Sequence, residues 1–143
     1  MKAPKHPKAE FVPQLRKVPR VEPTIEGLPL AWRFSSADRG GPWSFEKLLG
    51  NNRLLDVLRR LIEFESKNWN DILQTGSHLV QKVKLAATAR KRLVEIEQDD
   101  VDELMSFRVT GRGRVWCIPA ANIMRLLWWD PDHEVCPAPK KHT

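Results

Sequence analysis

At Glu103 the spacing of apolar residues changes, and that change constrains the fold more than any other feature of the chain. Before it, apolar residues recur at helical intervals. After it, Met105, Phe107 and Val109 alternate with Ser106, Arg108 and Thr110. A 3.6-residue period buries one stripe of a helix and a two-residue period buries one face of a strand, so one segment cannot serve both. Helices followed by a run of strands predict an α+β domain.

On the helical side, the spacing predicts a helix over about residues 52–66. Leu54, Leu58, Leu61, Ile62 and Glu65 fall on one face, and Asp56 with Arg60 and Arg59 with Glu63 form i,i+4 pairs. Asn68 is predicted to cap a short helix carrying Trp69, Ile72 and Leu73. A second long helix is predicted over 85–98, with Leu85, Ala89, Leu93 and Ile96 inward and Arg90, Lys91 and Arg92 outward. Residues 78–85 fit neither period. Ahead of the helices, residues 30–35 predict a short strand with Trp32 and Phe34 on one face, broken by the stretch from Asp38 to Pro42.

On the alternating side, Gly111, Arg112 and Gly113 predict a tight turn, because glycine accepts positive φ without steric cost. Arg114 to Ile118 is the returning strand, and Pro119 to Asn122 the next turn. Residues 123–129 are apolar apart from Arg125, the pattern of a central strand covered on both faces. Asp130, Pro131 and Asp132 turn the chain, and residues 133–136 predict a last edge strand. The expected architecture is a small antiparallel sheet, made of the first strand and the C-terminal meander, packed against two helices on one side.

Residues 1–28 are read differently. Pro4, Pro7, Pro13, Pro19 and Pro23 deny them helix, and six Lys or Arg outnumber Glu10, Glu22 and Glu26. They are expected to be a disordered basic tail, with a single domain over 29–143. The net charge of +6 favours contact with polyanions such as RNA. Two cysteines, Cys117 and Cys136, do not make the framework of a secreted domain. No apolar run approaches the roughly 20 residues of a membrane span, and no apolar signal core opens the chain. A cytoplasmic protein without a membrane partner is expected.

The order of elements resembles that of the RelE/ParE toxin superfamily. Residues 107–118, FRVTGRGRVWCI, are similar to the family's strand pair with a basic turn and a following arginine. Residues 122–136, NIMRLLWWDPDHEVC, resemble its apolar central strand running into a polar turn. LAWRFSSADRGGPW and LLWWDPDHEVCPAPKKHT resemble uncharacterised bacterial RelE-like proteins with a WWDPxHxVxP–KKHT signature. The resemblance covers roughly residues 30–142. It implies a toxin-like, RNA-directed protein of a toxin–antitoxin system: an endoribonuclease acting on mRNA or at the ribosome, needing no metal or other cofactor, with a cognate antitoxin as partner. The alternative within the superfamily is a non-catalytic module that inhibits a replication or translation protein by binding.

The resemblance places Arg114 on the family's arginine after the hairpin. Cys136 falls where many members carry tyrosine, and this chain has no tyrosine at all. Proton transfer then falls to His133, since histidine titrates near neutral pH and serves as acid or base. Cleavage by a 2′-hydroxyl needs a base, an acid and cations at the phosphate. His133, Arg114 and Arg112 are the expected catalytic set, and Arg108, Lys140, Lys141 and His142 the expected binding set, arginine offering a planar fork to phosphate oxygens. Each also has a plain reading as a strand, turn or terminal residue. Trp116, Trp128 and Trp129 read first as core, with one ring of the last pair free to meet a partner. Cys117, His133, Cys136 and His142 are metal-ligand types, but their spacing matches no familiar zinc motif, so no metal is expected.

Overall fold

A computed structural model describes residues 28–50 and 52–137. Nearly all of the proposed tail, and Lys140, Lys141 and His142, lie outside the described residues. In chain order the elements are β1 (Ala31–Arg33), α1 (Arg53–Glu65), α2 (Trp69–Gln74), β2 (His78–Gln81), α3 (Ala87–Glu95), β3 (Glu103–Arg108), β4 (Arg114–Ala120) and β5 (Ile123–Asp130), with 3-10 turns at Phe45–Leu48 and Lys82–Lys84. The fold is α+β. Its five strands lie in the order β1-β5-β4-β3-β2.

The sheet is mixed, not antiparallel. β1 runs parallel to β5, while β2 to β5 pair antiparallel. The ambiguous stretch at residue 78 supplies the edge strand β2 and then a 3-10 turn. Residues 133–136 form no strand. They are a loop held to the end of β5.

Helices cover both faces rather than one. α1 and α2 send Val57, Leu61, Phe64, Trp69 and Ile72 against Met105, Phe107, Val115, Cys117, Met124, Leu126 and Trp129. Leu85, with Ala89 and Leu93 of α3, packs against Leu104, Trp116, Ile118, Leu127 and Trp128 on the other face. β3 and β4 are buried continuously from Leu104 to Phe107 and from Val115 to Ile118, so each face needs its own cover. A register shift between Trp116 and Cys117 leaves Leu127 without a β4 partner, and Leu127 joins Trp128 on the α3 face. Such a bulge re-aims side chains without ending the strand.

The buried face of α1 also differs from the expectation. Val57, Leu61 and Phe64 point inward, while Leu54, Leu58 and Ile62 are exposed. Phe64 decides this. Its ring meets Phe107 at 5.1 Å and Trp32 at 6.4 Å, contacts that Ile62 could not also reach from its side of the helix. Phe34 is exposed, because β1 ends at Arg33. Arg60 pairs with Glu63 at i+3. α3 is shorter than predicted, and Arg92 turns inward from it to Asp38. Asn68 caps α2 as expected, its Oδ1 accepting from the Asp71 N–H at 2.8 Å.

Candidate anion-binding site

The site is built at the end of the sheet where β3 stops, β4 starts and β5 ends. Register sets Arg108 opposite Arg114, and Arg114 opposite Asp130. By strand alternation all three share the α3 face with Leu104, Trp116 and Trp128. Two cations directly opposite each other on a sheet are destabilising unless something offsets them.

Asp130 does not offset them by an ion pair. It is fully buried, and its carboxylate is already occupied. Oδ2 accepts from Trp116 Nε1 at 3.2 Å and from the Val135 N–H at 2.9 Å, and Oδ1 accepts from the Glu134 N–H at 2.8 Å. These bonds fold residues 131–135 back over the sheet. The loop is then tied to the segment before α3: Ala86 N–H donates to the Val135 carbonyl and the Cys136 thiol to the Lys84 carbonyl.

Arg114 is half-buried and donates through Nη1 to the turn carbonyls of Gly111 at 3.1 Å, Gly113 at 3.2 Å and Thr110 at 3.4 Å. Burial, and then the charge of Arg108, hold its guanidinium below its usual pKa, with Asp130 acting in the opposite direction. Arg108 leans the other way. A Cβ on Gly76, which has φ +97°, would lie 2.8 Å from Arg108 Cδ and 3.3 Å from Nη1. Only a glycine leaves that space and takes that backbone. The Arg108 N–H is fixed by Ser77 Oγ at 3.0 Å, and its carbonyl accepts from Arg60 Nε. Among the described residues neither Arg108 nor Arg114 forms an ion pair.

Arg112 stands at the exposed tip of the turn and reaches Asp132 at 3.5 Å. That contact joins the hairpin to the loop that carries His133. His133 itself has φ +61°, and its Nδ1 is buried without a partner. Histidine is among the few side chains that take this left-handed backbone region with any frequency, and its unpartnered buried nitrogen carries a desolvation cost. The turn residues and His133 therefore lie at one end of the sheet, and Lys84 lies on the flank where the loop is tied.

Trp116, Trp128 and Trp129 are all buried, so none offers a stacking platform, contrary to the expectation of one free ring in the last pair. Among the described residues no three His, Cys, Asp or Glu side chains converge on a metal position. Burial raises the pKa of the Cys136 thiol, as it does that of Cys117. Among the described residues no helix is long and apolar enough to cross a membrane.

Two participants escape a reading of the sequence. Asp130 reads as an ordinary turn residue, although it organises the loop. His78 lies in β2 opposite Ser106, exposed and on the same face as Arg108. The only signal for it is the alternation of His78 and Val80 in a four-residue strand. Compared with known proteins, the chain matches no family model, no curated protein and no solved structure.

Proposed function

We propose that this chain is a toxin-like, RNA-directed protein that grips a phosphodiester backbone between Arg108 and Arg114. The observation carrying this reading is the opposed arginine pair, one member half-buried, neither in an ion pair with a carboxylate among the described residues. An anion seated between them would relieve their repulsion and turn a local cost of folding into binding energy. A phosphate presents oxygens on several sides and suits two guanidinium forks approaching from opposite directions. The net charge of +6 would draw such a polyanion from a distance.

In the catalytic form of this proposal, Arg114 and Arg108 hold the phosphate and stabilise charge that grows on it, while His133 takes the proton of the attacking 2′-hydroxyl and returns it to the leaving 5′-oxygen. The chain is then a metal-independent endoribonuclease of RelE/ParE type acting on mRNA or at the ribosome. Its cognate antitoxin would cover the cationic end of the sheet. The succession of strand, helices and antiparallel meander supports this assignment. Helices on both faces and the parallel β1–β5 pair are features of this chain that the resemblance did not imply.

A second reading, binding without cleavage, is favoured by one observation: Arg112 is engaged by Asp132 instead of being free for a substrate. Mapping RNA ends after expression separates the two. The catalytic form predicts new site-specific 5′ ends that vanish in Arg114→Ala and His133→Ala. Growth arrest with intact RNA would establish the binding form.

A further inference from the structure

Among the described residues two buried side-chain nitrogens lack a hydrogen-bond partner: His133 Nδ1, at the end of the sheet already described, and Arg125 Nε. Arg125 lies near the start of β5, toward the opposite end. Met124 and Leu126 on either side of it pack into the core beneath α1 and α2, so strand alternation turns Arg125 to the α3 face. Its β4 partner, Ile118, belongs to the core of that face. Its β1 partner is Arg33. Trp32 packs against the α1 core, so Arg33 also faces the α3 side. β1 is an edge strand, and Arg33 on it is exposed.

This second arginine pair is less supported than the first. Arg114 donates to three turn carbonyls, whereas among the described residues neither Arg33 nor Arg125 forms a side-chain hydrogen bond or an ion pair. Neighbouring strands lie about 4.8 Å apart, so the two charges repel. An arginine that only covers apolar surface buries its stem and keeps its guanidinium in water. In Arg125 burial extends past the stem to Nε itself, and an N–H taken from water without an acceptor is costly. An oxyanion between the two side chains would supply the acceptor and neutralise the repulsion. One arginine fork fills both oxygens of a carboxylate, while a phosphate presents oxygens on several sides and can accept from two forks at once.

We propose that Arg33 and Arg125 form a second phosphate-binding site, which goes beyond the reading of Arg108 and Arg114 and does not depend on it. Arg125 precedes Asp130, the β4-register partner of Arg114, by about 16 Å along β5 at roughly 3.3 Å per residue. Substitutions at one pair should therefore leave the other unaltered. Titration of the full chain with inorganic phosphate, at constant ionic strength, tests this through the arginine Nε–H resonances. The Arg125 signal, assigned by its loss in Arg125→Lys, should shift and saturate. Arg33→Ala should weaken that affinity about tenfold, as loss of a charged hydrogen bond does. In Arg125→Lys the Arg33 signal should no longer saturate, because lysine keeps the stem and the charge but lacks the fork. Arg108→Ala with Arg114→Ala should leave the wild-type curve in place. In that double variant, a short single-stranded RNA that displaces phosphate identifies the group bound as a phosphodiester, and phosphate that RNA does not displace identifies a free phosphate ligand. A shift that stays linear to the highest phosphate concentration, or an Arg33→Ala curve that overlays the wild type, would overturn the proposal. So would a response that disappears with Arg108 and Arg114, since the ion would then sit at their end of the sheet.

Discussion

Arg92 and Arg114 face the same side of the sheet and have opposite fates. Arg92 donates through Nε and Nη2 to the two oxygens of Asp38 at 2.8 and 2.7 Å, and through Nη1 to Glu95 at 3.0 Å. Asp38, buried, also accepts from Trp128 Nε1 at 2.9 Å. Hydrogen bonding to Asp38 raises the pKa of Arg92, whereas burial lowers that of Arg114. Among the described residues Arg114 donates to carbonyls and faces a second arginine; Asp130 acts on it through charge without an ion pair, its carboxylate bonding to Trp116 and the backbone of the loop. An arginine saturated with carboxylate joins elements together. One left with unneutralised charge is available for an anion that comes from outside.

The contrast is broken most severely at Asp38. Asp38→Ala leaves Nε and Nη2 of Arg92 and the Trp128 indole N–H without acceptors. It should cost about 3–5 kcal/mol of stability, as removal of one partner of a buried pair does. Urea denaturation measures this, and a loss below about 1 kcal/mol would place Arg92 among the unspent arginines. The pH dependence follows in sign. Burial would raise the pKa of Asp38, but hydrogen bonds from Arg92, the Gly40 N–H and Trp128, with the charge of Arg92, hold it below the ordinary 3.8. A depressed folded-state pKa contributes stability that is present above 3.8 and is lost as pH falls through the lower folded value. The wild-type chain should therefore lose stability in that acid window more steeply than Asp38→Asn.

Asp130 should come next. Asp130→Ala orphans Trp116 Nε1 and the N–H groups of Glu134 and Val135, at a cost of about 2–3 kcal/mol. It should also release the loop. Hydrogen exchange at Val135 should accelerate more than at Phe107. Equal acceleration at both would mean that Asp130 supports the whole sheet rather than the loop.

The same contrast explains what could be read from the chain. The meander was legible because the hairpin glycines and the alternation from Glu103 are local signals. The inward stripe of Leu85, Ala89 and Leu93 was legible because α3 carries polar residues on its other sides. α1 was not, because leucines lie on both sides of Phe64 and periodicity alone cannot choose between two apolar faces. Asp38 and Arg92 are 54 positions apart, and no local pattern joins them. The parallel pairing of β1 with β5 is non-local in the same way. At the site, Arg108 and Arg114 were identifiable by type and by the turn between them. Their lack of a carboxylate was not, because it depends on Asp130 being occupied by backbone N–H groups.

The smallest expected effect on stability is at the arginine pair. Arg108→Ala should leave the unfolding midpoint unchanged or raise it slightly, within about 0.5 kcal/mol, because it relieves a like-charge pair. A loss above about 1 kcal/mol would show that Arg108 is held by structure instead of being kept for a ligand.

Binding of a short single-stranded RNA by the full chain, measured across a series of salt concentrations, tests the central claim most directly. Each phosphate contact contributes about −0.7 to the slope of log affinity against log salt. Arg108→Ala with Arg114→Ala should weaken binding and make that slope shallower by about 1.4. An unchanged slope, in a double variant that melts like the wild type, would contradict the assignment of a phosphate to the Arg108–Arg114 pair.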